Sequence, residues 1–144
     1  MGFKEPPLGA DTCQEGIRLP GGRVRSRLDN QRTVLVVDDH PELRVCLGHL
    51  LERAGYRILL AGNGAEGLEQ LRRERVHVVV LDIDMPVMNG RAFLAACSED
   101  PKLACVPVVV YSADPQPAGL PPGVRAWVWK GSESSDLLAA IEAS

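Results

Sequence analysis

Apolar positions along this chain gather into short runs separated by segments of helical periodicity. The clearest runs are Val34-Leu35-Val36-Val37, Ile58-Leu59-Leu60, Val78-Val79-Val80-Leu81, Val108-Val109-Val110-Tyr111 and Ala126-Trp127-Val128-Trp129. Continuous apolar runs of this length are the signature of parallel strands covered on both faces. They predict strands at 33–37, 57–60, 76–81, 106–111 and 125–129. Between the first two, Leu43, Leu47, Leu50, Leu51 and Ala54 recur at helical spacing, after Pro41 in a first-turn position and before the stop at Gly55. The turn signal Gly62-Asn63-Gly64 precedes a second helix at about 65–74, with Leu68 and Leu71 facing inward. A third helix begins at Asn89-Gly90 and carries Phe93, Leu94 and Cys97 to about Ser98, and a last one covers about 133–142. Strict alternation of strand and helix implies a parallel sheet with right-handed crossovers.

One crossover breaks the rhythm. Pro115, Pro117, Gly119, Pro121, Pro122 and Gly123 lie between the fourth and fifth strands. A proline inside a helix costs about 3 kcal/mol, so the helix expected there is shortened or lost. The interval 113–123 is just long enough for a parallel crossover that runs extended.

Composition adds limits. The chain has 144 residues, 45% of them hydrophobic, enough for one core. A net charge of −3 gives no electrostatic case for a nucleic-acid partner. Residues 1–31, with Pro6-Pro7, Pro20 and Gly21-Gly22 and no periodicity, are expected to form a disordered leader, and 32–144 the domain. Residues 1–32 hold six Lys/Arg against four Asp/Glu, a mildly basic stretch read as a solvated linker. Cys13, Cys46, Cys97 and Cys105 form no CxxC pair and read as reduced core thiols of a cytoplasmic protein. No stretch is apolar enough for membrane insertion, and no signal-peptide core follows Met1.

The chemistry sits where the runs end. Asp38-Asp39 closes the first strand, Asp82 the third, Ser112 the fourth and Lys130 the fifth. Ligands of open α/β sheets bind outside the carboxyl ends of the strands. Asp38 and Asp39 can share a site only because the strand has ended, since neighbours within a strand point to opposite faces. Three carboxylates brought together resist joint ionisation unless a cation compensates. Together with a hydroxyl and an amine they can hold a divalent cation and receive a phosphoryl group. Taken singly, each residue has a plainer role: a helix cap for Asp39, a turn hydroxyl for Ser112, a solvated lysine for Lys130. His40, His49 and His77 show no metal-ligand spacing and read as incidental; Met85 and Met88 read as loop packing.

From Arg32 onward the ordered stretches VLVVDD, AGNGAEGL, VVVLDIDMPVMNG, VPVVVYSA and VWK resemble the receiver domains of two-component response regulators. The resemblance implies a flavodoxin-like (βα)5 fold with a parallel five-stranded sheet in the order 2-1-3-4-5. It implies a single-domain, CheY-like receiver in which Asp82 accepts the phosphoryl group. Asp38 and Asp39, Asp82 and the backbone carbonyl of Asp84 would hold Mg2+, a cation that favours hard oxygen donors. Ser112 and Lys130 would engage phosphoryl oxygens, and Ser112 with Trp127 would form the switch. Asp84 and Asp114 occupy positions that tune phosphoryl lifetime in the family. The implied partners are a sensor histidine kinase or phosphotransfer protein and a downstream protein target, the chain catalysing only its own phosphorylation and dephosphorylation.

Two features depart from the family pattern: Gly131 replaces the usual proline after the lysine, so a trans bond is expected there, and Trp127 replaces a smaller aromatic. Together with the lost crossover helix they support an alternative, a constitutive interaction module with no phosphorylation-driven switch. A third reading is a phosphatase-like hydrolase with Asp82 as nucleophile and Asp84 as acid; it is disfavoured because no substrate cap is evident.

Overall fold

Five strands pair in parallel in the order β2-β1-β3-β4-β5: β1 Thr33–Val37, β2 Arg57–Ala61, β3 Val78–Leu81, β4 Val108–Ser112 and β5 Val124–Trp129. This computed structural model describes residues 31–85 and 88–144. Residues 1–30 of the expected leader, with Cys13, fall outside them. Five helices lie among the described residues: α1 Pro41–Arg53, α2 Gly64–Arg73, α3 Gly90–Glu99, α4 Pro101–Ala104 and α5 Ser134–Glu142.

The apolar runs work as expected because they serve two faces at once. In β1, Val34 and Val36 point to one layer, with Leu47, Leu51, Leu137 and Ile141 of α1 and α5. Leu35 and Val37 point to the other, with Leu68, Phe93 and Leu94 of α2 and α3. The sheet is thus a central layer between two helical ones. β1 and β3 are buried throughout, whereas the edge strands β2 and β5 include exposed and partly exposed positions. Val79, Val80 and Phe93 are wholly or almost wholly inaccessible, so each contributes about 1.5–3 kcal/mol by burial.

The side chain of Asn63 caps α2 by accepting from the Glu66 N–H, and that of Asn89 caps α3 by accepting from the Ala92 N–H. The short α4 was not anticipated. Its signal is Asp100-Pro101, an N-cap whose carboxylate accepts from the Lys102 N–H and is followed by proline at the first helical position. The third strand starts later than expected, at Val78, because the Nδ1 of His77 accepts from the Thr33 N–H at 2.9 Å and replaces a strand pairing. Strand four likewise starts at Val108, after Pro107.

No helix joins β4 to β5. Residues 113–123 run as bends and turns, the Val124 N–H donates to the carbonyl of Pro121 at 3.1 Å, and the pairing of β4 with β5 slips between Val108 and Val109. The loss of this helix follows from its prolines.

The thiols behave differently from expectation. Cys97 is buried, and burial pushes its thiol up to about 11. Cys46 is a free thiol but lies on the exposed side of α1, not in the core. Cys105 is disulfide-bonded rather than reduced. Among the described residues no helix is long and apolar enough to cross a membrane.

Candidate functional site

The ends of β1, β3, β4 and β5 bring Asp38, Asp39, Asp82, Ser112 and Lys130 to one rim of the sheet. Adjacent register sets this: Val37 pairs with Leu81, each directly before its aspartate, and the Asp82 N–H donates to the Val37 carbonyl at 3.0 Å. On the far side the Lys130 N–H donates to the Ser112 carbonyl at 2.9 Å. Asp38, Asp82 and Ser112 are among the few buried polar residues of the described chain segments, at 2%, 4% and 0% exposure.

Lys130 spans the acids. Its Nζ stands 3.4 Å from Asp38 Oδ2 and 3.4 Å from Asp82 Oδ2. Burial raises the Asp82 pKa; Lys130 opposes that shift, and Asp38 adds to it. Three carboxylates are gathered here, and Lys130 stands within ion-pair distance of two of them, Asp38 and Asp82. Asp39 Oδ1 is shielded from solvent and makes no hydrogen bond. A buried, unsatisfied carboxylate oxygen is costly, and a divalent cation is the group that would satisfy it. The donor atoms of Asp38, Asp39, His40 and Asp82 all lie within 4.8 Å of one another. The residues present therefore fit a bound divalent cation.

His40 and Arg44 belong to this site although sequence reasoning passed over them. The His40 N–H donates to Asp38 Oδ1 at 2.9 Å, and its ring Nδ1 lies 3.3 Å from both Asp38 Oδ1 and Asp39 Oδ1. The guanidinium of Arg44 donates to the Asp38 carbonyl at 2.7 Å, holding the turn that carries both acids. The available signal was adjacency: a residue next to an acidic pair, and an arginine one helical turn beyond it. Asp84 is exposed, and its carboxyl shares a hydrogen bond with Asp114, which raises the Asp114 pKa.

Two glycines permit close approach. A Cβ at Gly90 would lie 2.7 Å from Ile83 Cα and 2.9 Å from the Asp82 carbonyl, so only glycine lets α3 sit against the loop after β3. At Gly131 a Cβ would fall on the six-membered ring of Trp129, which lies over the backbone after Lys130. The indole occupies the place a side chain would need. Among the described residues all peptide bonds are trans, as expected for a glycine after the lysine.

From Ser112 a line of bonds leads outward. The Asp114 N–H donates to Ser112 Oγ at 3.0 Å, and the Trp127 Nε1–H donates to the Asp114 carbonyl at 3.0 Å. Trp127 is half-buried and packs against the α2–α3 side of the core.

A family described as the response regulator receiver domain matches residues 34–142, nearly the whole described chain. The chain belongs to that family. It is 32% identical over 114 residues to protein PilH of Pseudomonas aeruginosa, covering 76% of this chain and 94% of that protein. The chemotaxis response regulator CheY4 of Vibrio cholerae superposes with a TM-score of 0.73 at 28% identity, over 79% of this chain and 98% of that one. TrrA of Thermotoga maritima, solved in complex with Mg2+ and BeF, gives 0.70 at 25% identity over 78% of this chain and 98% of that one. Other curated relatives are longer, the match covering 49% of one and 17% of another. This receiver is thus a signalling module of the two-component type, with an acid cluster of the kind at which receivers bind Mg2+.

Proposed function

We propose that this receiver takes a phosphoryl group onto Asp82 with Mg2+ held by Asp38, Asp39, Asp82 and the carbonyl of Asp84, and signals by changing its contact with a protein target. The observation that carries this reading is the convergence of Asp38, Asp39 and Lys130 on the buried Asp82, with Asp39 Oδ1 shielded from solvent and without a hydrogen bond. An Asp82 carboxylate oxygen attacks phosphorus. The new O–P bond forms as the bond from phosphorus to the donor's leaving group breaks, the electron pair leaving with that group. The donor is a phosphohistidine of a sensor kinase or phosphotransfer protein, or a small acyl phosphate. Lys130, already within ion-pair distance of Asp82, faces the charge brought in by the phosphoryl oxygens. Ser112 Oγ accepts from Asp114 and keeps its own proton to donate to a phosphoryl oxygen. A bound divalent cation supplies the remaining positive charge. Reaction then rests on positioning and charge neutralisation.

Intact mass after incubation with acetyl phosphate and Mg2+ tests this directly. One added phosphoryl group is expected, absent in Asp82→Asn and absent without the cation. An unchanged mass under conditions that phosphorylate a control receiver would overturn it.

The constitutive module has one observation in its favour: Trp127 is already tied through its indole N–H to Asp114. Intrinsic fluorescence with beryllofluoride separates the two. A Mg2+-dependent change that Trp127→Phe removes supports the switch; binding without any change supports the constitutive module.

A further inference from the structure

We propose that His40 is a nitrogen ligand of the cation pocket and shifts its preference from Mg2+ toward late first-row divalent ions such as Co2+, Ni2+ and Zn2+. The proposal rests on the cation site of the preceding reading and concerns which ion that site favours.

His40 stands at the N-cap of α1, where a side chain ordinarily accepts from the backbone N–H groups of the first turn. It makes no such bond, and Pro41 follows it. Its ring turns back to the acids instead, with Nδ1 equidistant, at 3.3 Å, from Asp38 Oδ1 and Asp39 Oδ1. Two ligands at right angles about one ion, each at about 2.1 Å, stand about 3.0 Å apart. The observed separations need to close by only a few tenths of an ångström. Asp39 Oδ1, one of the two oxygens, is the buried atom that lacks a hydrogen bond. The ring Nδ1 is in hydrogen-bond contact with Asp38 Oδ1, and imidazole and both carboxylates lie close enough together to share one ion. The ring is 66% exposed, so it can turn without disturbing the core.

The consequence lies in donor chemistry. An all-oxygen pocket suits Mg2+, which keeps several waters and gains little from imidazole. A nitrogen donor adds affinity that rises along the first transition row toward nickel and copper. Adding His40 to Asp38, Asp39 and Asp82 gives a mixed nitrogen and oxygen set.

Titration calorimetry with Mg2+ and with Co2+, alongside the visible spectrum of the Co2+ form, tests the assignment on the whole chain. The variants are His40→Ala, and His40→Asn, which keeps a hydrogen-bond donor near the Nδ1 position but offers no imidazole nitrogen. Both are expected to weaken Co2+ at least tenfold while changing Mg2+ less than threefold, and to shift the Co2+ absorption as oxygen replaces nitrogen. Equal loss for both ions, rescue by His40→Asn, or tighter binding in His40→Ala would overturn the proposal, since the ring would then only position or repel. Asp39→Asn separates this failure from that of the site itself. Loss of both ions in that variant leaves the acid pocket standing; failure of either ion to bind the wild type, or binding untouched by Asp39→Asn, removes the pocket and the proposal together.

Discussion

The two halves of the pocket are built on different foundations. Asp38, Asp39 and Asp82 extend from β1 and β3, the two strands that are buried along their whole length. Ser112 and Lys130 extend from β4 and β5, which are joined by eleven residues without a helix and whose pairing slips by one residue. The acid half inherits the rigidity of the core. The hydroxyl and amine half is held by a few specific bonds: Lys130 N–H to the Ser112 carbonyl, Asp114 N–H to Ser112 Oγ, Trp127 Nε1–H to the Asp114 carbonyl. A cation site needs fixed donors, whereas a switch needs a segment whose alternatives differ by only a few kcal/mol. The division suits the proposed reading, in which the acid half holds the cation and the other half switches.

The largest expected effects separate the halves by function. Lys130→Ala leaves buried Asp82 and Asp38 without their ammonium and should slow phosphoryl uptake by at least a hundredfold, the scale on which fixed charge stabilises such transition states. Pro117→Ala in the crossover should leave uptake within about twofold, because Pro117 carries no charge and belongs to neither the acids nor the hydroxyl and amine of the pocket. Equal slowing in the two variants, followed by intact mass against time, would break the division.

Stability should divide in the same way. Phe93→Ala removes a wholly buried ring from the core under β1 and β3 and should cost about 3–5 kcal/mol in denaturant titration. Leu120→Ala in the crossover, where the leucine is 38% exposed, should cost about 0.5 kcal/mol or less. A large loss at Leu120 would mean that the crossover, despite lacking a helix, is as well packed as its neighbours.

Between these extremes lies the bond that ties β5 to the crossover. Trp127→Phe keeps an aromatic ring but deletes the indole N–H, leaving the Asp114 carbonyl without its partner. About 1 kcal/mol of stability should be lost. Hydrogen exchange should quicken in the 113–123 segment and stay unchanged in β1. Exchange that rises evenly across the sheet would show that this bond supports the whole fold rather than one loop.

How much of this was legible beforehand follows from what each feature depends on. The central strands were readable because double-sided burial leaves unbroken apolar runs, and the missing helix because proline cannot be accommodated by tertiary context at ordinary cost. The edges of elements were less so: His77 sets the start of β3 by a bond to Thr33, a contact 44 residues away that no local pattern encodes. The residues that meet at the pocket were each visible at a strand end. Their mutual distances were not, and neither was the approach of the His40 ring to Asp38 and Asp39, which the turn after β1 decides. Cys46 was misjudged because helical spacing alone does not tell a residue beside the apolar stripe from one within it. Gly131 looked like a simple departure from proline, but the structure gives it a cause in the Trp129 ring lying over it.

An effect that fades with pH tests the end of the sheet opposite the pocket. His77 is lowered from the ordinary histidine value, first by burial and then by the nearby Arg32 and Arg75. Its Nδ1 accepts from the Thr33 N–H and must therefore carry no proton. Because the folded value is depressed, the unfolded chain binds the proton more readily between that value and about 6.5. The contribution of His77 is then complete above about pH 6.5 and falls away as pH drops toward the folded value. His77→Phe removes the acceptor at every pH, so its deficit against the wild type should be about 1 kcal/mol near pH 8, the net worth of one hydrogen bond. That deficit should narrow as the pH falls below 6.5, a trend that thermal unfolding at several pH values can follow. A deficit that stays constant down to pH 4.5 would show that His77 takes up its proton equally in the folded and unfolded chain, and would move the acid sensitivity of this domain to its carboxylates.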